Sequence, residues 1–443
     1  MSLRERDPEI FEILQAERRR QLEGVELIPS ENYVSAAVLE ALGTVFTNKY
    51  SEGYPGRRYY GGNEYVDAVE RLAQERARRL FGTPHANVQP YSGSPANLAV
   101  YVATCRPGDV IMGQNLPDGG HLTHGWPVSV TGSFFRSVPY HVRPDGYIDL
   151  DEVWRLAREH RPRLIWCGAT AYVREFPFEE FARVADEVDA YFAADIAHVA
   201  GLVIAGVHRS PVPYAHIVTT TTHKTLRGPR GAMILVTEKG LAKDPELAEK
   251  IDRAVFPGLQ GGPHDHQTAA IAVALGEAMQ PEFVEYGRQV VRNAKALGEA
   301  LLAHGFRLVT GGTDNHMLLL DLTPTGPGRG VFLQEALDRV GITVNKNTIP
   351  GEPSSPFYPS GIRLGTPAAT TRGMREGEMR QLAAWIAEVA ERIRDFTLPE
   401  GREERAKALR AFRAAIAADE ALARIREAVR DFCRAFPVPG TEG

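Results

Sequence analysis

Apolar positions recur along the chain in two rhythms. Near the N-terminus, Ile10, Phe11, Ile13 and Leu14 punctuate a charged stretch from Asp7 to Glu23, which is the spacing of an amphipathic helix. A Gly-, Tyr- and Arg-rich segment, Tyr50–Asn63, predicts loop. A helix is expected from about Val66 to Phe81. From Asn87 to Val236 short apolar runs (110–112, 164–166, 191–194, 217–218 and 233–236) alternate with helical stretches, Leu150–Glu159 and Phe178–Val188. That alternation predicts an α/β domain around a mostly parallel sheet. The helical block Gln267–His304 then reads as a connector. Beyond it, apolar runs at Phe306–Val309, Met317–Leu320, Ile342–Val344 and Ile362–Leu364, a helix near Val331–Val340 and an Ala/Arg/Glu-rich helical tail at Arg402–Phe436 predict a smaller α+β domain. The expected division is a helical arm over residues 1–50, a large domain over 51–280 and a small domain over 281–443.

Composition narrows the function more than the fold. The 443 residues carry 51 basic and 56 acidic side chains, a net charge of −5, and no stretch is basic enough to make nucleic acid the main partner. No apolar run is long enough to span a bilayer, and the first residues lack the apolar core of a signal peptide. Three widely spaced cysteines, Cys105, Cys167 and Cys433, form no metal-ligand spacing and no disulfide framework. A reducing, cytoplasmic setting is expected.

Five places hold residues suited to chemistry. Lys224 follows four threonines and His223 and precedes a Gly/Pro-rich stretch, so it belongs in a loop after a strand. A lysine in a crowded, partly desolvated site can attack a carbonyl; alone, it is equally a lysine in a turn. Asp195 ends an apolar strand, where open α/β sheets place ligand groups, and a buried carboxylate there needs a cationic partner. Ser92, Gly93 and Ser94 precede the helical run Leu98–Cys105 and could cradle an anion at a helix start. His121 and His124 stand three apart; with no Cys or acidic residue completing a motif nearby, an aromatic stacking role outweighs a metal, no metal is expected, and a core histidine stays open for His124. Arg363 sits inside a short apolar strand, and its planar fork suits a carboxylate, either a substrate's or that of an internal salt bridge. Together these five features point to pyridoxal phosphate acting on an amino acid.

The chain resembles the serine hydroxymethyltransferase (glycine hydroxymethyltransferase) family over nearly its whole length. The resemblance rests on ELIPSEN (26–32), TNKYSEGYPGRRYYGG (47–62), VQPYSGSPAN (88–97), GGHLTHG (119–125), DIAHVAGL (195–202), TTTTHKTLRGPRG (219–231), FPGLQGGP (256–263), GGTDNH (311–316), VNKNTIP (344–350) and SGIRLGTPA (360–368). It implies a fold-type I pyridoxal-phosphate enzyme with a seven-stranded, mostly parallel sheet, working as a homodimer with shared active sites or as a homotetramer. At matching positions it implies that Lys224 holds the cofactor as a Schiff base, that Asp195 pairs with the ring nitrogen and that His121 stacks on the ring. Ser92, Gly93 and Ser94 would bind the phosphate with Tyr50, Gly261 and Gly262 of a second subunit. Thr170 and His198 would lie near the ring hydroxyl, with His223 beside Lys224. Arg363, Ser30 and a second subunit's Tyr60 would grip the substrate carboxylate. Glu52, again from the second subunit, would move the proton at the substrate hydroxyl or the folate. Leu116, Leu122 and Asn347 match folate-contact positions. The implied reaction moves the hydroxymethyl group of L-serine to tetrahydrofolate.

Some positions depart from the family pattern. Tyr91, Pro95 and Pro117-Asp118 differ from bacterial members only, whereas Trp126, Trp166, Cys167, Thr170 and Ala232 are harder to place. Trp126, Trp166 and Thr170 keep a second reading open: a folate-independent aldolase or transaldolase of β-hydroxy amino acids, an α-methylserine enzyme, or a tetrahydromethanopterin-using variant. A non-enzymatic protein on this fold is disfavoured by the intact Lys224, Asp195, Glu52 and Arg363.

Overall fold

The computed structural model describes residues 2–441. It divides into two compact units: Val34–Val291, and Met1–Tyr33 together with Arg292–Gly443. The first 33 residues therefore pack with the C-terminal segment. Backbone pairing is one of their attachments: the short strand Val25–Glu26 runs parallel to Ile342–Thr343.

The Val34–Val291 unit is built on seven strands: β1 (His85–Asn87), β2 (Val110–Gln114), β3 (Arg136–Tyr140), β4 (Leu164–Cys167), β5 (Tyr191–Asp195), β6 (Ile217–Thr221) and β7 (Ala232–Val236). Their order is β1-β7-β6-β5-β4-β2-β3. Pairing is parallel from β6 to β3, while β7 runs against both of its neighbours. The mostly parallel sheet is as expected. Two strands, β1 and β3, are absent from the apolar pattern. Successive side chains of a strand point to opposite faces, and the sheet separates two cores accordingly. Ile165, Cys167, Phe192 and Ala194 join one cluster; Leu164, Trp166, Tyr191 and Ala193 join the other, with Tyr101 and Val100 of the helix Gly93–Thr104. Burying each of the large side chains stabilises the unit by about 1.5–3 kcal/mol. The helices Leu150–His160 and Phe178–Val188 fall where expected, and Asp149 starts the first by accepting from Glu152 N. The connector block is two helices, Asp265–Ala278 and Pro281–Ala303.

The second unit holds the antiparallel strands β8 (Arg307–Leu308), β9 (Met317–Asp321), β10 (Asn345–Asn347) and β11 (Gly361–Gly365), ordered β8-β9-β11-β10. Helices Gly330–Arg339, Glu376–Arg392, Arg402–Ala418 and Glu420–Cys433 complete its core. The tail is two helices rather than one, because the Asp419 side chain accepts from Ala421 N and Leu422 N and starts a new helix. The N-terminal helix, Pro8–Glu23, starts as read: Asp7 accepts from Ile10 N. Its apolar residues Ile10, Ile13 and Leu14 are exposed. Among the described residues no helix is long and apolar enough to cross a membrane.

Glu26 is buried in the second unit. Burial and the neighbouring Glu31 carboxyl push its own carboxyl well above the usual range, against the pull of the Ile28 amide and Arg20. A carboxyl raised in the folded state stabilises below its ordinary value of 4.5 and loses that contribution as pH rises through the raised value. Glu26→Gln, neutral and of the same shape, is expected to gain on the wild type by up to about 1.4 kcal/mol per pH unit over that window. Thermal midpoints from pH 5 to pH 9 check this; parallel curves for the two proteins would refute it.

Candidate active site

The loops after the carboxyl ends of β2, β4, β5 and β6 carry most of the chemistry. β5 ends on Asp195. Its Oδ2 accepts from His124 Nε2 at 3.1 Å and from Asn97 Nδ2 at 2.9 Å, and its Oδ1 accepts from Ala197 N at 3.0 Å. Burial pushes this carboxyl up, but the hydrogen bond and charge of His124, with His121 and Asn97, outweigh it and hold it well below the usual carboxylate range. Asp195 is therefore a buried anion kept ionised by its surroundings. Asn97 comes from the helix Gly93–Thr104, and its Nδ2 also donates to Thr123 Oγ1 at 2.8 Å.

His121 follows the turn Gly119-Gly120. A Cβ at Gly120 would lie 2.0 Å from the Gln114 carbonyl oxygen, so only glycine lets the chain turn this tightly off β2. The Thr123 amide donates to His121 Nδ1 at 3.2 Å, and Thr123 Oγ1, which already accepts from Asn97, lies 2.7 Å from the same nitrogen. Nδ1 is thus the acceptor and Nε2 carries the proton of a neutral ring. Burial first, then the charges of His124 and Lys224, pull its pKa down to about 4. His121, His124 and Asp195 bring donor atoms within 4.8 Å of one another; two of the three, His124 and Asp195, are bonded to each other.

Lys224 lies in the loop after β6, whose last residue, Thr221, accepts from Lys224 Nζ through Oγ1 at 2.9 Å. Thr221 also meets the helix start: a Cβ at Gly93 would sit 2.8 Å from Thr221 Cγ2. The lysine amine and the Ser92-Gly93-Ser94 turn are thereby brought to one threonine. The Ser92 side chain makes no capping bond to its own helix. His198 is anchored through its carbonyl, which accepts from Thr225 Oγ1 at 2.9 Å, while Thr225 Oγ1 accepts from Gly201 N. Thr170 is fixed by its amide, which donates to the Gly119 carbonyl at 2.8 Å. Burial, Lys224 and Arg230 together pull His223 down to about 3. The donor set fits pyridoxal phosphate: an amine for an aldehyde, an ionised carboxylate for a protonated ring nitrogen, a neutral imidazole beside them and a helix start for a dianion.

The remaining expected residues fall into two other groups. Tyr50, Glu52, Tyr60, Gly261 and Gly262 form their own cluster in the Val34–Val291 unit. The Tyr50 hydroxyl donates to Glu52 Oε1 at 3.3 Å, and the Tyr50 and Tyr60 rings meet edge-on at 5.0 Å. A Cβ at Gly262 would rest 3.4 Å from the Tyr50 ring, and one at Gly261 would lie 3.1 Å from Glu52 Oε1. Tyr50 and Tyr60 are about half exposed. Leu116 opens the turn before Gly119, and Leu122 is exposed beside His121. Ser30, Asn347 and Arg363 belong to the other unit. Arg363 is buried on β11, its Nε donates to Asn345 Oδ1 at 3.0 Å, and burial pulls its pKa down to about 10. Asn347 pairs with Gly361 on the same sheet. The segment leading to Ser30 is laid against β11 by the bond from Gly365 N to the Leu27 carbonyl at 2.7 Å.

Asn97, Thr123 and Thr221 had no assigned role in the sequence, and His124 was open between ring stacking and the core, although all four stand inside its motifs. A polar Asn on the otherwise apolar run Ala96–Tyr101 was the available signal.

A model of the family described as serine hydroxymethyltransferase matches residues 3–386. Proteins named serine hydroxymethyltransferase from Acidothermus cellulolyticus and Sorangium cellulosum are 58% and 57% identical to this chain. The alignments span 98% and 99% of this chain and 96% and 97% of theirs. One from Phenylobacterium zucineum is 57% identical over 87% of this chain and 89% of its own. The matches run through every motif around Lys224 and Asp195, and the chain belongs to the serine hydroxymethyltransferase family.

Proposed function

We infer that this protein transfers the hydroxymethyl group of L-serine to tetrahydrofolate, reversibly, with pyridoxal phosphate as its cofactor. The observation that carries the reading is the joint placement of Lys224, Asp195 and the Gly93 turn in a unit that lies wholly within the residues matched to the family, 3–386. Bound pyridoxal phosphate supplies a protonated ring that accepts the electron pair freed when the Cα–Cβ bond of serine breaks. Asp195 holds negative charge against the ring nitrogen, and His124 and Asn97 keep that charge in place. The neutral His121 offers a flat face without competing positive charge. Lys224 binds the cofactor aldehyde and moves a proton at the substrate Cα. Arg363, with Ser30 and Tyr60, orients the substrate carboxylate, and that clamp sets which Cα bond stands perpendicular to the ring. Glu52 moves the proton at the serine hydroxyl or the folate, and Leu116, Leu122 and Asn347 face the pterin.

The site is shared between two copies of the chain, which supply Tyr50, Glu52, Tyr60, Gly261 and Gly262 to one another. Exposed apolar side chains on the same unit support a subunit interface, among them Val45, Tyr59, Val102 and Leu259. The three cysteines are free thiols, in keeping with a cytoplasmic setting.

The test is L-serine cleavage, read as glycine formed, with and without tetrahydrofolate. Acceleration by folate, with capture of the one-carbon unit, is expected. Equal cleavage of L-serine or allo-threonine with no folate binding would replace this reading by a folate-independent aldolase.

A further inference from the structure

Trp166 is wholly buried on β4, and its ring lies almost parallel to that of His124, with centroids 4.9 Å apart and planes 12° from one another. Tyr101 packs against the same indole, and its hydroxyl donates to the carbonyl of Thr123, the residue before His124. On the opposite side the chain is equally tight, since a Cβ at Gly113 would come within 2.7 Å of His124 Cβ. His124 makes its one side-chain hydrogen bond through Nε2, to Asp195 Oδ2. Its Nδ1 is buried without a polar partner among the described residues, and so is Trp166 Nε1. An imidazole normally has its tilt set by the bond at its other nitrogen. Here that bond is missing, and a ring held at one nitrogen alone can swing about it. The flat indole is the contact that stops the swing.

We propose that Trp166 is a positioning residue for the cofactor ring: by stacking on His124 it fixes one of the bonds that orient Asp195. The indole acts on His124 through its face and not its N–H, which makes no hydrogen bond to the imidazole. The step from Asp195 to the cofactor rests on the pairing of Asp195 with the ring nitrogen inferred above.

The variants to compare are Trp166→Phe, Trp166→Leu, Trp166→Met, His124→Ala, Asp195→Asn and the double variant Trp166→Leu/His124→Ala, all full-length. The apoproteins are titrated with pyridoxal phosphate to give its dissociation constant, and their thermal midpoints are measured alongside. Trp166→Leu is expected to weaken cofactor binding by at least ~10-fold, the lower end of what outer contacts to a ligating histidine contribute. Trp166→Phe, flat but without the N–H, restores binding to within ~3-fold of wild type on the same scale. The double variant binds no more weakly than His124→Ala, because both changes remove one interaction. Trp166→Met keeps most of the volume without a flat face, and it reports if the leucine variant does not fold. Losses that multiply in the double variant, or a lowered thermal midpoint with unchanged cofactor affinity in the leucine and methionine variants, overturn the proposal. Unchanged affinity in Asp195→Asn instead overturns the pairing of Asp195 on which it rests.

Discussion

Lys224→Ala is expected to fold normally, to lose pyridoxal phosphate on gel filtration and to show no cofactor fixed to the chain after borohydride reduction. The lysine leaves the rest of the site standing. Asp195 keeps its bonds to His124, Asn97 and the Ala197 amide, and His121 keeps its bonds to Thr123. The Nζ bond to Thr221 disappears. On the function proposed above, the covalent hold and the proton carrier at Cα are lost, and turnover is expected to fall by at least about 100-fold, the lower end for a positioned proton-transfer group. Retained, reducible cofactor in the variant would mean another amine holds it. The same variant tests how the site is divided. Co-expressed with Glu52→Gln, it regains about a quarter of wild-type activity if Glu52 serves the other subunit, because half the dimers are mixed and each mixed dimer has one site free of both lesions. No recovery above the separate variants would place Glu52 and Lys224 of one chain in the same site.

The parts of the fold that were legible share one property: their signal is local. β4, β5 and β7 are continuous apolar runs buried on both faces, and that burial forces Val, Ile, Leu, Phe and Ala into consecutive positions. β1 is His85-Ala86-Asn87, too short and too polar to show a period, and it exists because β7 pairs with it. β3 contains Pro139, which argues against a strand; the structure tolerates it because β3 is the sheet edge. The candidate site divides in the same way. Asp195 and Arg363 each break a local pattern, a charge at the end of or inside an apolar strand, and Lys224 stands in the loop after a run of four threonines. Asn97 and His124 reach Asp195 across 98 and 71 residues of sequence, and only the folded sheet brings them together. The N-terminal helix shows the opposite case. Its periodicity was clear, yet its apolar face is exposed within one chain, so the pattern encodes a surface that a single copy does not bury.

Arg372 is one of the buried cations of the second unit. Arg372→Met is expected to lower that unit's stability by about 3–5 kcal/mol, since backbone acceptors left buried without a donor cost about 1–3 kcal/mol each and only some can relax toward water. Arg372 is 4% exposed and spends its guanidinium on main-chain carbonyls. Nε donates to Phe436 at 2.8 Å, one terminal nitrogen to Gly24 at 2.6 Å and Gln21 at 3.3 Å, and the other to Leu22 at 3.2 Å and Cys433 at 3.1 Å. These acceptors lie at the C-terminal ends of the helices Pro8–Glu23 and Glu420–Cys433. Helix C-termini carry unsatisfied carbonyls and the negative end of the dipole, so one cation satisfies two helix ends and ties residues some 400 apart in sequence into one unit (the acceptors Gly24 and Phe436 mark its span). An ammonium has three donors on a single atom and cannot reach five acceptors spread around a planar fork. Arg372→Lys should therefore recover less than half of the loss. Thermal unfolding reads the effect as a fall on the order of 10 °C for Arg372→Met. A fall of less than about 2 °C, under 1 kcal/mol on that scale, would mean that water replaces the guanidinium at little cost and that the two helix ends are held by packing alone.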